Sequence, residues 1–192
     1  MSDALEVEIK ISFAGVEEAR RALVAAGARE TRPRHFEENL VFDTPSKDLA
    51  ASSRLLRVRA SSDGQGALTY KEKVASEAKA KVRRELETQV AEPAILAAIF
   101  ERAGYVITYR YEKYRTVFAL DGATIDLDET PMGCFVEIEA PAAAIPALAA
   151  RLGASERDFI LDDYRTVFRE WLAARGRPFT DMTFAAVEGG PP

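Results

Sequence analysis

The sequence predicts an α+β fold in which antiparallel strands, each with one apolar and one ionisable face, are covered by alanine-rich helices. Three observations carry this. Segments of strict alternation recur along the chain, and residues two apart on a strand share a face. Three such segments carry a glutamate-rich face, and each is followed by an alanine-rich stretch that ends at a glycine. Across all the alternating segments, the positions of one parity are almost all ionisable, with carboxylates on some strands and lysine or arginine on others.

The elements follow in order. The first unit is Leu5-Glu6-Val7-Glu8-Ile9-Lys10-Ile11, then a helix from Val16 to Ala26, closed by Gly27. Asn39 to Asp43 reads as a strand that ends in the turn Asp43-Thr44-Pro45, and His35 before it as a surface or loop residue. Leu55 to Ala60 and Ala67 to Lys73 are strands around a turn at Ser61 to Gly66. Val74 to Val82 reads as a polar, lysine-bearing mobile loop. Lys79, Lys81, Arg83 and Arg84 read either as a basic patch or, the preferred expectation, as a solvated stretch entering the next strand.

The second unit runs from Arg83 to Val90, with a helix from Pro93 to Ala103 and then Gly104. Tyr109 to Leu120 and Ala123 to Asp128 are strands joined at Asp121-Gly122, a strong hairpin signal. The third unit is Phe135 to Glu139, a helix from Pro141 to Leu152, and Gly153. Proline in a first turn and glycine past the end are helix start and stop signals. Ile95, Ile99 and Phe100, and Ile145, Leu148 and Leu152, recur at helical spacing. A last helix from about Asp162 to Arg175 offers Val167, Phe168, Trp171 and Leu172. Residues 1–176 read as a single domain and 177–192 as a C-terminal tail, disordered at Gly189 to Pro192.

Composition narrows the function classes. The chain has 192 residues, which suits one domain. Its net charge of −5 argues against bulk nucleic-acid binding. Its apolar runs are too short to span a bilayer and its N-terminus lacks a signal-peptide pattern, so the expected location is the cytoplasm. One cysteine, Cys134, excludes an internal disulfide and a multi-cysteine zinc site, and reads as buried and inert. One histidine excludes a two-histidine metal motif. There is no glycine-rich phosphate loop, so any phosphate must be held by side chains.

The alternation admits two arrangements. One is an open antiparallel sheet with its charged face in water. The other is a barrel whose apolar face lies under the helices and whose charged face points inward. Glu6, Glu8 and Lys10 share a face, as do Arg57 and Arg59, Thr69 with Lys71 and Lys73, Arg83 with Glu85 and Glu87, Lys113 with Arg115, Asp126 with Asp128, and Glu137 with Glu139. Unpaired buried ions cost several kcal/mol each, about enough to unfold a domain when several coincide. A barrel of this kind must therefore hold water, cations and an anionic ligand. Carboxylate clusters suit Mg²⁺ or Mn²⁺, and arginine and lysine clusters suit phosphate oxygens.

Glu6-x-Glu8-x-Lys10 resembles the ExExK signature of the CYTH superfamily, the triphosphate tunnel metalloenzymes. The resemblance continues in order through Asn39 to Pro45, Leu56-Arg57-Val58-Arg59, Thr69-Tyr70-Lys71, Arg84-Glu85-Leu86-Glu87, Lys113 with Arg115, Asp126-Leu127-Asp128 and Glu137-Ile138-Glu139. It spans Leu5 to Trp171. It implies an antiparallel eight-stranded β-barrel with a polar, charged lumen, wrapped by α-helices. It further implies metal ligation by Glu6, Glu8, Asp126, Glu137 and Glu139 with Mg²⁺ or Mn²⁺, and phosphate binding by Lys10, Arg57, Arg59, Lys71, Lys113 and Arg115. Glu6, Glu8, Lys10 and Glu87 are the implied catalytic group. The implied partner is a triphosphate-bearing small molecule such as tripolyphosphate or ATP, with a homodimer as an option and neither nucleic acid nor membrane.

The family includes class IV adenylyl cyclases and thiamine, inorganic and RNA triphosphatases. The last helix carries Asp162, Asp163, Tyr164, Arg165 and Arg169 but no lysine, a departure from thiamine triphosphatases. Tyr164 and Arg165 read either as a cap on the tunnel mouth or as surface residues. Hydrolysis of a triphosphate is the preferred expectation, because it needs only metals and a phosphate clamp. Adenylyl cyclase activity and a non-catalytic polyphosphate-binding module are the alternatives.

Overall fold

The computed structural model describes residues 4–74 and 80–188. The expected mobile loop falls partly, and the disordered end of the tail wholly, outside these residues. Eight antiparallel strands are present: β1 (Ala4–Phe13), β2 (Arg29–Asp43), β3 (Arg54–Ser61), β4 (Gly66–Lys73), β5 (Lys81–Gln89), β6 (Val106–Leu120), β7 (Ala123–Thr130) and β8 (Gly133–Glu139). They pair in the order β1-β5-β4-β3-β2-β6-β7-β8, and β8 pairs back onto β1, so the sheet closes into a ring. Of the two arrangements left open by the alternation, the closed one forms, with the ionisable parity inward.

Among the described residues there are six α-helices: α1 (Val16–Ala25), α2 (Asp48–Ala51), α3 (Pro93–Arg102), α4 (Ile145–Arg151), α5 (Tyr164–Ala173) and α6 (Phe184–Glu188). The main core lies between α1, α4 and the outer face of β1, β7 and β8. It contains Ile9, Ile11, Leu23, Ile125, Leu127, Val136, Ile138, Ile145 and Leu148. A smaller core under α3 joins Ala97 to Phe42 and Val58. Here the expected helix face is corrected in part: Phe100 packs as expected, but Ile95 and Ile99 are more than half exposed, and Leu96 and Ala97 complete the packed face of α3.

α5 behaves differently from the other helices. Its Tyr164, Phe168 and Leu172 pack against Tyr109 and Phe135, which share the inward parity of β6 and β8. It therefore closes off part of the lumen instead of covering the outer face. The segment after α5 returns along β6, where Met182 is fully buried and exchanges backbone hydrogen bonds with Arg110 and Glu112.

The hairpin at Asp121-Gly122 forms as expected, with φ of 50° and 83° at the two turn residues. Asp43 also acts in a turn. Its carboxylate accepts the backbone N–H groups of Thr44, Leu49 and Ala50, which fastens the unpredicted one-turn helix α2. The largest correction is β2, a strand of 15 residues where only Asn39 to Asp43 reads as strand. Pro33 sits at a register shift between Arg32 and His35, and such irregularities accommodate proline within a ladder.

Candidate functional site

The inward side chains enclose a cavity of about 660 Å³, within the usual size range of small-molecule sites. All twelve residues singled out from the sequence line it: Glu6, Glu8, Lys10, Arg57, Arg59, Lys71, Glu87, Lys113, Arg115, Asp126, Glu137 and Glu139. Strand order sorts them by charge. The neighbouring strands β1, β8 and β7 contribute Glu6, Glu8, Glu137, Glu139 and Asp126. The arc β4, β3, β2 and β6 contributes Lys71, Arg57, Arg59, Lys113 and Arg115. The cross-strand register places Glu8 opposite Glu139 and Glu137 opposite Asp126, so the carboxylates form one contiguous patch.

Each wall is neutralised by ion pairs. Lys10, 1% exposed, lies between Glu8 Oε1 at 3.1 Å and Glu137 Oε1 at 3.2 Å. Lys71 Nζ donates to Glu6 Oε1 at 2.5 Å and pairs with Glu85 at 2.8 Å. Arg115 pairs with Asp126, with Asp128 Oδ2 at 2.6 Å and with Glu137 Oε2 at 2.5 Å. Glu87 accepts from Thr69 Oγ1 at 2.7 Å and from Arg59 at 3.2 Å, with Arg57 3.5 Å away. Glu87 thus stands among the bases, apart from the β1–β8 carboxylates in its pairing.

Several lumen residues were not among those singled out. Asp128 is fully buried and accepts from Lys113, Arg115 and the Tyr164 hydroxyl, the last at 2.8 Å. Tyr164 is thus buried and not a surface residue, and its ring also lies 5.2 Å from the Lys10 ammonium. Lys81, read as part of a solvated stretch, is instead the first residue of β5 and donates to Glu8 Oε1 at 2.5 Å. Arg83 also lines the cavity, whereas Arg84 points outward and pairs with Glu72. His35 is corrected from surface to interior. It is buried, its Nδ1 lies 2.8 Å from the Pro33 carbonyl oxygen, and its Nε2 lies 3.2 Å from Glu37 Oε1. Glu37, fully buried, sits between Arg59 at 3.8 Å and Lys113 at 3.9 Å. The available signal was the run His35, Glu37, Asn39, polar at every second position in phase with the strand already recognised.

The electrostatics divide the acidic wall. Burial works against the Glu8 carboxylate, yet Lys10, with Lys81 and Lys71, outweighs it and holds the group at about 2. Glu137 is likewise held well below the usual carboxylate range against burial, by Lys10, Lys113 and Arg115. For the other carboxylates burial outweighs the neighbouring bases. Burial, reinforced by Asp128 and Glu137, raises Asp126 to about 6 despite Arg115. Burial together with Glu6 and Asp126 raises Glu139 to about 7. Burial also raises Glu6, against Lys71, and its Oε2 is a buried oxygen without a hydrogen-bond partner.

Among the described residues, no three carboxylate or imidazole groups converge on one point; Glu6, Glu8, Asp126 and Glu137 are each paired with a lysine or arginine. The donor set nonetheless suits a hard divalent cation: clustered oxygens, an orphaned Glu6 oxygen, and two carboxyls whose protons a cation would displace.

Comparison with known proteins agrees with this fold. The family model of the CYTH domain matches residues 4–151. A Methanocaldococcus jannaschii protein named as a candidate adenylate cyclase is 22% identical over 170 residues, covering 86% of this chain and 88% of its own. The PH1012 protein of Pyrococcus horikoshii is 27% identical, with a TM-score of 0.71 over 83% of this chain and 96% of that one. HpAC1 of Hippeastrum, an adenylyl cyclase by name that is described as having a dominant triphosphatase activity, superposes with a TM-score of 0.60. It is 20% identical over 91% of this chain and 97% of its own.

Proposed function

This chain belongs to the CYTH family, and from that premise we propose that it is a metal-dependent triphosphatase acting on inorganic triphosphate or a small molecule that carries one. One observation carries the reading: an acidic arc and a basic arc share one lumen and are joined across it by the ion pairs Lys71–Glu6 and Arg115–Glu137. A metal–polyphosphate complex presents the complementary charge to both arcs at once.

In this reading Glu6, Glu8, Asp126, Glu137 and Glu139 hold Mg²⁺ or Mn²⁺. When bound, the cation neutralises phosphate oxygens and lowers the pKa of water. Arg57, Arg59, Lys71, Lys113 and Arg115 exchange their carboxylate partners for phosphate oxygens, where guanidinium forks and ammonium groups make charge-assisted hydrogen bonds. Lys10 stays protonated between Glu8 and Glu137, since those carboxylates raise its pKa against burial. It orients both oxygens and meets the phosphate edge. Glu87 aims Arg57 and Arg59 through the contacts described above. Water attacks the terminal phosphorus to form orthophosphate and releases its proton to solvent, the phosphoanhydride P–O bond breaks, and pyrophosphate departs with the electron pair. The fixed positive charges stabilise the charge that develops on the leaving oxygen. The His35–Glu37 pair buttresses Arg59 and Lys113 from behind.

The test is product analysis with Mg²⁺ and with Mn²⁺, offering tripolyphosphate and ATP separately. Orthophosphate plus pyrophosphate from tripolyphosphate, lost on Glu6→Gln and on Glu137→Gln, supports the reading. Cyclic AMP plus pyrophosphate from ATP overturns it in favour of a cyclase. Undiminished turnover in both variants overturns the site assignment.

A further inference from the structure

The helix α3 is apolar on the face it turns to water. Its Leu96, Ala97 and Phe100 pack with Phe42 and Val58, and the Phe100 ring meets that of Phe42 edge-on at 5.3 Å. One face is thus anchored to the ring of strands. The other carries Ala94, Ile95, Ala98 and Ile99, all exposed, the two isoleucines at 53% and 54%. A surface helix ordinarily turns charged residues to water, and one that is apolar all round is ordinarily buried. The charges of α3 stand only at its ends: Glu92 at the N-cap position, Glu101 and Arg102 in the last turn.

This exposed pattern is self-complementary. Glu92, Ile95, Ile99 and Arg102 are spaced three, four and three residues apart, so they form one stripe along the helix. A two-fold axis crossing the stripe level with Ala97 exchanges position 92 with 102 and position 95 with 99. Two antiparallel α3 helices about that axis bring each Ile95 to Ile99 of the second copy, and each Glu92 to Arg102 of the second copy, in a single register. Among the described residues, neither Glu92 nor Arg102 has an ion-pair partner within the chain. The antiparallel helix dipoles add attraction. Beside Ile95 lies an apolar groove of about 340 Å³, lined by Leu40, Val58 and Ala60 with Glu38 and Glu92. None of its described lining residues is a lysine or arginine. Arg110 stands opposite Leu40 in the β2–β6 register but makes no ion pair with Glu38 or Glu92. The acidic end of one helix is therefore matched to the basic end of the other.

We propose that α3 is the contact face of a symmetric homodimer, in which a second copy of this chain lays its own α3 antiparallel against the stripe of Glu92, Ile95, Ile99 and Arg102. Such a contact uses the same patch on both copies and closes with two. Ten residues of helix span about 15 Å, so the pair buries less than the roughly 1,600 Å² of a standard interface. The dimer is accordingly weak, with a dissociation constant of about 10 µM. This inference does not rest on the triphosphatase reading, because the stripe lies on the outside of the ring.

Sedimentation equilibrium of the full chain over about 1–500 µM measures the dimer constant in the wild type and in Ile99→Gln, Ile95→Gln, Glu92→Arg, Arg102→Glu and the double variant Glu92→Arg/Arg102→Glu. Melting temperatures confirm that each variant folds, and the two glutamine variants read the same contact from either side. Because every contact occurs twice, each glutamine variant is expected to weaken the dimer about a hundredfold. Each single charge reversal sets like charges together and weakens it about tenfold. The double reversal restores it to within about threefold of the wild type, since the exchanged charges meet again across the axis. A wild type that stays monomeric throughout the range overturns the proposal and leaves the stripe to a partner other than this chain. A dimer that survives both glutamine variants overturns it in favour of another surface. Failure of the double reversal to recover what the single reversals lose overturns the antiparallel arrangement.

Discussion

Replacing Lys10 by methionine probes how far the lumen depends on its internal ion pairs. The side chain is 1% exposed, and its ammonium is shared between Glu8 at 3.1 Å and Glu137 at 3.2 Å. Methionine fills a similar volume, so the loss is one of charge more than of packing. Two estimates of the loss agree. Leaving a buried carboxylate without its partner costs about 3–5 kcal/mol. Independently, a carboxyl held from 4.5 down to about 2 contributes about 3 kcal/mol to folding above pH 4.5. Lys10 is the largest of the lysine contributions that hold Glu8 there, Lys81 and Lys71 being the others. For a chain of this length such a loss lowers the melting temperature by about 10 °C near neutral pH.

The sign of the pH dependence follows from the direction of the shift. Glu8 has a folded pKa below its unfolded one, so its contribution is present above pH 4.5 and disappears as pH falls toward 2. The gap between wild type and Lys10→Met should therefore narrow on acidification. Thermal melts in EDTA at pH 7.5, 5 and 3.5 measure this directly. A fall of less than about 2 °C at pH 7.5, or a gap that widens in acid, would refute the claim that Lys10 compensates the acidic wall.

Two further outcomes are expected. Between about pH 4 and 7 the folded protein retains protons on Asp126 and Glu139 that the unfolded chain has released, because both carboxyls are raised. The metal-free protein should thus lose stability as pH rises through that window, with a urea midpoint higher at pH 5 than at pH 7.5; a rise in the midpoint would contradict the crowding of the acidic wall. Asp43→Ala removes an acceptor from three backbone N–H groups at α2, and should destabilise by about 2 kcal/mol. The corresponding fall of about 5 °C in melting temperature should leave a substrate-free site unchanged in metal binding, which calorimetry can check.

The strands whose two faces differ were readable from the chain. β1, β3, β7 and β8 alternate cleanly because their outer residues enter a helix-covered core and their inner ones do not. β2 was read short for a physical reason. Its lumen face carries His35, Glu37 and Asn39, while its outer face at Glu38 is exposed, so no hydrophobic alternation marks the segment, and Pro33 interrupts it further. Lys81 was missed for a related reason, as its polar surroundings resemble a loop although its side chain ends on Glu8. Ile95 and Ile99 mislead in the opposite sense, since helical spacing identifies an apolar stripe but not whether a partner surface lies beneath it.

The sequence by itself determined which residue types share a strand face, and therefore that lysine, arginine and carboxylate side chains would gather on a common surface. It also determined the hairpin at Asp121-Gly122 and the buried state of Cys134, both of which depend on local geometry or on a strand's own pattern. Closure was decided only by the tertiary structure. The pairing of β8 with β1 turns the common surface into a lumen, and the strand order sets an acidic arc against a basic one. Which carboxylate stands near which base also depends on that order. The long-range pairs Lys71–Glu6 and Lys81–Glu8, 65 and 73 residues apart in sequence, set the charge state of the wall. Coulombic interaction follows distance in space, and in a closed sheet that distance is fixed by register around the ring rather than by position along the chain.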